Sequence, residues 1–118
     1  MPRILTKVGE REVKGIERPH GGAGHVLVES LLEEEGLGEG SRLFAKVVLP
    51  PSCEVGHHEH HEEIEVYYIL SGIGMYEDNG RAMEVEPGDV LYCDNGSGHG
   101  IKNTGTEDLV FLALIMKR

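Results

Sequence analysis

Apolar residues fall in short runs, and nearly every run ends in glycine, proline or an Asn/Asp turn. Leu43-Phe44-Ala45-Lys46-Val47-Val48-Leu49 has strand length and composition, and Pro50-Pro51 stops it. Val55 to His60 reads as the next strand and Glu65 to Leu70 as another. The second of these is apolar on both faces apart from Glu65, which fits a strand covered on two sides. Side chains alternate along a strand, so an inward Glu65 takes Tyr67, Ile69 and Ser71 inward with it, and Val66, Tyr68 and Leu70 outward. Gly72 to Glu77 runs into Asp78-Asn79-Gly80, a hairpin turn because Asn and Gly both tolerate positive φ. Arg81 to Glu86 returns, Glu86-Pro87-Gly88-Asp89 turns again, and Val90 to Cys93 is a strand. Asp94 to Gly98 is a glycine-rich turn, His99 to Asn103 a strand, Thr104 to Asp108 a turn, and Leu109 to Met116 closes the sheet.

The first third of the chain is less regular. Arg3-Ile4-Leu5 and Arg11-Glu12-Val13-Lys14 have the character of short edge strands. His20 to Gly24 reads as a flexible turn bordered by His20 and His25, both expected to be exposed or locally bonded. Val26 to Leu32 reads as a strand, although Leu31, Leu32 and Glu33-Glu34-Glu35 also suit a short helix. The acidic run is expected to be a solvated edge, followed by a loop over Gly36 to Ser41. Nine or ten short strands with turn chemistry between them predict an all-β, double-sheet jelly roll.

Composition narrows the setting. A length of 118 residues implies one domain over 1–118, and 17 glycines favour tight turns over helices. The net charge of −10 argues against nucleic acid and anionic membrane as partners, since phosphate binding needs a basic footprint. No stretch approaches the roughly 18 apolar residues of a membrane span. The N-terminus lacks the apolar run of a signal peptide, and Cys53 and Cys93 make no disulfide framework, so a reducing cytoplasmic setting is expected.

The chemistry gathers in His57-His58-Glu59-His60-His61-Glu62-Glu63-Ile64-Glu65, which holds four of the seven histidines. A strand puts His58 and His60 on one face, with His57 and His61 expected on the other. Glu65 follows after a gap long enough to turn, although Glu62 and Glu63 compete with it as the acidic member. Two imidazoles and a carboxylate suit a first-row divalent metal, and His99 is the best candidate for a further ligand. Cys93, just before the turn that presents His99, is expected to be a buried, inert thiol.

These spacings resemble the two motifs of the cupin superfamily. The first reads G-x5-H-x-H-x3,4-E-x6-G, and His58, His60, Glu65 and Gly72 fill it, with Ser52 in place of the first glycine. The second reads G-x5-P-x-G-x2-H-x3-N, and Gly88, Gly96, His99 and Asn103 fill it, with Asp94 in place of the proline. Both lie within residues 50–103, and a 15-residue spacer separates Gly72 from Gly88. The resemblance implies a double-stranded β-helix barrel, an N-terminal arm over residues 1–23 of the kind that crosses to a partner subunit, and one divalent metal on His58, His60, Glu65 and His99. Within the superfamily the chain looks most like small single-domain bacterial proteins labelled oxalate-decarboxylase-like. Bicupin oxalate decarboxylases add an arginine near the metal and a mobile acidic lid; neither Arg42 nor Arg81 can be assigned that part from sequence, and no lid segment is evident.

Three imidazoles and one carboxylate around a six-coordinate metal leave two positions open, whereas structural zinc is usually four-coordinate and thiolate-rich. Mn(II) or Fe(II) fits best, with Ni, Zn or Cu as competitors that bind more tightly in general. Two functions follow. One is a metalloenzyme, decarboxylase-like or dioxygenase-like, acting on a small carboxylate or oxygenated metabolite in a pocket lined by Tyr67 and Ile69. The other is a non-catalytic small-molecule binder with a structural or vestigial metal. The apolar outer face of the strand over Val66 to Leu70 predicts a homodimer.

Overall fold

The computed structural model describes residues 5–33 and 37–118. Among the described residues, ten strands form two antiparallel sheets packed face to face. They are β1 (Val13–Glu17), β2 (His25–Ser30), β3 (Ser41–Leu49), β4 (Glu54–Glu59), β5 (Glu63–Ser71), β6 (Gly74–Asp78), β7 (Arg81–Val85), β8 (Val90–Cys93), β9 (Gly98–Asn103) and β10 (Leu109–Lys117). One sheet has the order β1-β2-β3-β10-β5-β8 and the other β4-β9-β6-β7. This is the expected jelly roll.

Alternation builds the core. Along β10, Leu109, Phe111, Ala113 and Ile115 turn inward, and along β5 Glu65, Tyr67 and Ile69 do the same. Val47 and Leu49 join them from β3, and Val55, Tyr76, Val85 and Ile101 face them from the second sheet. Burying an apolar side chain of this size contributes about 1.5–3 kcal/mol. Ser71 departs from the pattern, because β5 ends there and it is exposed.

The N-terminal boundaries differ from expectation. The edge strand spans Val13–Glu17 rather than Arg11–Lys14, and it pairs with β2 of its own chain. Arg11 is drawn instead into an ion pair with Glu29 at 2.8 Å and a hydrogen bond to the Thr6 carbonyl at 2.9 Å. Leu5 is irregular, and the rest of the Arg3–Leu5 strand lies outside the described residues, as do Glu34 and Glu35 of the acidic run. Where a flexible turn was expected, Pro19–Gly21 forms a single 3-10 turn.

Two departures from the motif glycine and proline have local explanations. Ser52 adopts a φ of 67°, so the position keeps the left-handed conformation that favours glycine. Asp94 Oδ1 accepts the Asn95 N–H at 2.8 Å, and the Asp94 carbonyl accepts the Ser97 N–H at 3.0 Å. A β-turn over Asp94, Asn95, Gly96 and Ser97, with Gly96 at a φ of 86°, thus shapes the bend where a proline would otherwise restrict φ. The motif's Asn103 is buried and donates to the carbonyls of Leu49 and Glu107 at 2.8 and 2.7 Å, tying the turn before β10 to β3.

Candidate metal centre

The site is made where the two sheets face each other. His58 on β4 is directly opposite His99 on β9, and Glu65 reaches across from β5. The register of β4 slips by one residue between Val55 and His58. Strict alternation would put these two on opposite faces; the bulge lets Val55 stay in the core while His58 turns toward the cluster. His60 follows just after the strand, and its backbone N–H donates to the Ser97 carbonyl at 3.0 Å. Glu62 then takes a φ of 62°, and the chain reverses into β5.

The ligand atoms of His58, His60, Glu65 and His99 all lie within 4.8 Å of one another. His99 Nε2 is 3.1 Å from the Nε2 of both His58 and His60, and 2.9 Å from Glu65 Oε1. His60 Nε2 is also 2.9 Å from that oxygen, and His58 Nε2 is 3.6 Å from it. Donors about 2.1 Å from a common centre and at right angles to each other stand about 3 Å apart. The donor set therefore fits one divalent cation. His60, Glu65 and His99 are at most 5% exposed, so their polar atoms have little access to water.

The far side of each imidazole is held as well. His58 Nδ1 bonds to the Gly56 carbonyl at 2.9 Å, and His60 Nδ1 to Glu63 Oε1 at 2.7 Å. His99 Nδ1 meets the Tyr76 hydroxyl at 2.8 Å. The carbonyl and the carboxylate can only accept, so Nδ1 of His58 and His60 carries a proton, and Nε2 is the nitrogen that would give its lone pair to a cation once the proton it shares with Glu65 is lost. Burial pushes the Glu65 carboxyl upward, but hydrogen bonds from His58, His60 and His99 outweigh it and hold Glu65 well below the usual carboxylate range. His99 is pushed down, chiefly by burial, which favours the neutral ring. His60 moves the other way because Glu65 and Glu63 both bond to it.

A cavity of about 380 Å³ opens beside the cluster. Val26, Val28, Val47, Phe111, Ala113 and Ile115 give it apolar walls, while His58, His60 and Glu65 supply a polar end. Its exposed lining residues, Ile16, His20, Arg42 and Glu59, mark the mouth.

Of the residues expected at the pocket, Tyr67 lines it, stacked on His99 with ring centroids 5.0 Å apart and tilted on Phe111 at 4.4 Å. Ile69 does not: it is fully buried in the core, one strand repeat too deep to reach the cavity. His57 and His61 are exposed and paired with Glu77 and Glu59 at 2.6 and 3.1 Å, away from the cluster. Glu65, not Glu62 or Glu63, stands in the cluster, and Glu62 is exposed. Glu63 holds His60 from behind and accepts two hydrogen bonds from Arg42, at 2.8 and 3.0 Å. Cys93 is buried, and its thiol is pushed up to about 11, first by burial and then by the Glu65 charge. Arg81 does not line the cavity.

Sequence reasoning missed His20, whose ring stacks on His58 at 3.9 Å and 15°. It also missed the Arg42–Glu63 pair and the Tyr76 support of His99. These contacts join residues far apart in sequence. The available signals were a histidine beside proline and glycine, and a surplus of glutamates.

A model described as a cupin domain matches residues 45–115. The chain is 46% identical over 113 residues to an oxalate-binding protein of Thermotoga maritima, covering 96% of this chain and 93% of that protein. It is similar to a crystal structure described as a predicted oxalate decarboxylase from the same organism, with a TM-score of 0.94 and 41% identity, covering 98% of this chain and 100% of that one. It is also 33% identical over 102 residues to a glucose-6-phosphate isomerase of Thermococcus litoralis, covering 75% of this chain but 54% of that enzyme, about half its length.

Proposed function

This chain belongs to the cupin family, and on that footing we propose that His58, His60, Glu65 and His99 hold one divalent metal through which the protein binds a small chelating carboxylate such as oxalate. The observation that carries this reading is the convergence of three Nε2 atoms and one carboxylate oxygen at the polar end of an open cavity. The similarity to a protein named for oxalate binding supports the ligand class. Three neutral imidazoles and one carboxylate leave a divalent site with a net positive charge, which suits an anion. Hard oxygen and imidazole donors without thiolate favour Mn(II) or Fe(II), while Ni, Zn and Cu compete by general affinity.

The bound metal would supply Lewis-acid polarisation of the carboxylate oxygens. The protein does the rest. The Gly56 carbonyl, Glu63 and Tyr76 fix the three rings, so the donor set does not reorganise as the cation enters. The valine, phenylalanine and isoleucine walls keep the local dielectric low and strengthen the attraction between cation and anion.

A finer reading makes the protein a metalloenzyme of the decarboxylase or dioxygenase kind. What favours it is the cavity, which leaves room beside the cluster that side chains do not plug. The alternative is a binder without turnover. The buried free thiols of Cys53 and Cys93 suit a cytoplasmic setting.

Metal analysis of the purified protein and of two variants tests the ligand set. The wild type is expected to carry close to one equivalent of divalent metal, and His60→Ala and His99→Ala to lose most of it. Full occupancy in both variants would overturn the assignment.

A further inference from the structure

His20 is an imidazole at the cavity mouth that the donor cluster does not use. Its position is built rather than incidental. Arg18 and His20 both take left-handed backbone conformations, with φ of 49° in each, on either side of buried Pro19. Non-glycine residues rarely adopt this conformation unless the surroundings enforce it. Here they do. The Arg18 N–H donates to the Gly24 carbonyl at 2.8 Å, and the Glu54 N–H donates to the Ala23 carbonyl at 2.8 Å, which binds the loop to the start of β4. Gly56 has no room for a side chain, because a Cβ there would run into the His20 carbonyl, and one on Gly22 would run into the carbonyl of Glu54. The turn and β4 are thus pressed together backbone to backbone. The result sets the His20 ring flat against His58, at 3.9 Å.

The cavity's hydrogen-bond donors can be sorted by what already occupies them. Arg42 is committed to Glu63 at 2.8 and 3.0 Å. The Tyr67 hydroxyl is buried against Glu65. His58, His60 and His99 have Nδ1 bonded and Nε2 turned into the cluster. The ring of His20 makes a stacking contact, and its nitrogens have no hydrogen-bond partner among the described residues. A chelated dicarboxylate gives two oxygens to the cation and keeps two more. In a cavity with mostly apolar walls, those outer oxygens need a donor.

We propose that His20 is a specificity-determining residue that donates an imidazole N–H to the carboxylate oxygens not taken by the metal. The inference rests on the carboxylate-binding reading above. It distinguishes ligands: oxalate, with a second carboxylate, gains from His20, whereas acetate, whose single carboxylate is spent on the cation, gains little. Either protonation state of the ring offers an N–H, so the contact does not depend on the charge of His20.

The test is calorimetric titration of oxalate and of acetate into metal-loaded wild type, His20→Phe and His20→Gln, with metal content and melting temperature measured on each. His20→Phe keeps a flat ring against His58 without a donor, and His20→Gln keeps a donor without the ring. A hydrogen bond to a charged group predicts an oxalate Kd about 10- to 100-fold weaker in His20→Phe, substantial recovery in His20→Gln, and metal content unchanged in both. Acetate affinity is expected to move less than about threefold on the same reasoning. Equal oxalate affinity in His20→Phe and wild type would overturn the proposal. So would loss of metal parallel to loss of oxalate, which would make His20 a support of the metal site. If wild type itself binds no oxalate when loaded, the carboxylate reading fails first and this inference with it. If His20→Phe fails to melt cooperatively it is replaced by His20→Gly, which has no side-chain donor and tolerates the left-handed backbone, and if His20→Gln fails it is replaced by His20→Asn, which keeps a donor; the same comparison then decides.

Discussion

At the scale of single residues, the grip on a cation depends on what each imidazole does with its other nitrogen. Glu63 is the informative case. It accepts from His60 at 2.7 Å and is itself held by Arg42, whose hydrogen bond is the main reason its carboxyl sits below the usual range. An ionised Glu63 orients the ring and raises the basicity of its far nitrogen. Glu63→Gln is therefore expected to weaken metal affinity about 10- to 100-fold without abolishing it, as outer partners of metal ligands generally do. Competition with a chelator of known affinity measures this, and an unchanged metal Kd would remove Glu63 from the account. The clustering of His58, His60 and His99 was legible, because two-residue spacing on a strand and the second motif's spacing are both local. The choice among Glu62, Glu63 and Glu65 was not. It hangs on a reversal after His60 with positive φ at Glu62, and a change of one residue in that path exchanges the faces of β5. Ile69 shows the opposite error: alternation correctly turned it inward, but says nothing about depth along the strand.

At the scale of elements, most strands were legible from their apolar runs and punctuating turns, but their partners were not. Strand β5 lies between β10 and β8, and β3 between β2 and β10, pairings that span much of the chain. The bulge in β4 went unread, although a glycine such as Gly56 inside a strand is a sign of one; the glycine alone does not say where the register slips. One expectation about elements remains open to test. Tyr68 and Leu70 on β5 point outward, 44% and 43% exposed, and Val90 and Tyr92 on β8 stand beside them at 64% and 46%. Tyr68 is paired with Val90 and Val66 with Tyr92, so these side chains make one continuous apolar strip at the edge of the six-stranded sheet. An unpaired edge with an apolar face is a liability for a lone barrel. The expected remedy is a homodimer through this strip. Light scattering at micromolar concentration is then expected to give twice the chain mass of 13.0 kDa, and Val90→Lys to shift the protein toward monomer. A wild-type monomer across that range would contradict it.

At the scale of the whole molecule, two electrostatic effects oppose each other. The net charge of −10 repels an approaching anion. A divalent cation held by the one carboxylate of the cluster would attract it, in a cavity walled by apolar side chains. Surface charges are screened beyond about 8 Å at physiological salt, while the contact inside the cavity is not. The local attraction is expected to win, and added salt to quicken association by removing the global repulsion. Both effects leave affinity hanging on the metal. Calorimetric titration of oxalate into the metal-loaded and the metal-free protein therefore tests the central claim most directly. Saturable binding at submillimolar ligand to the loaded form, with binding to the metal-free form weaker by about 100-fold or more, is the predicted result. Equal affinity in the two forms, or no binding at millimolar oxalate to a fully loaded site, would contradict it.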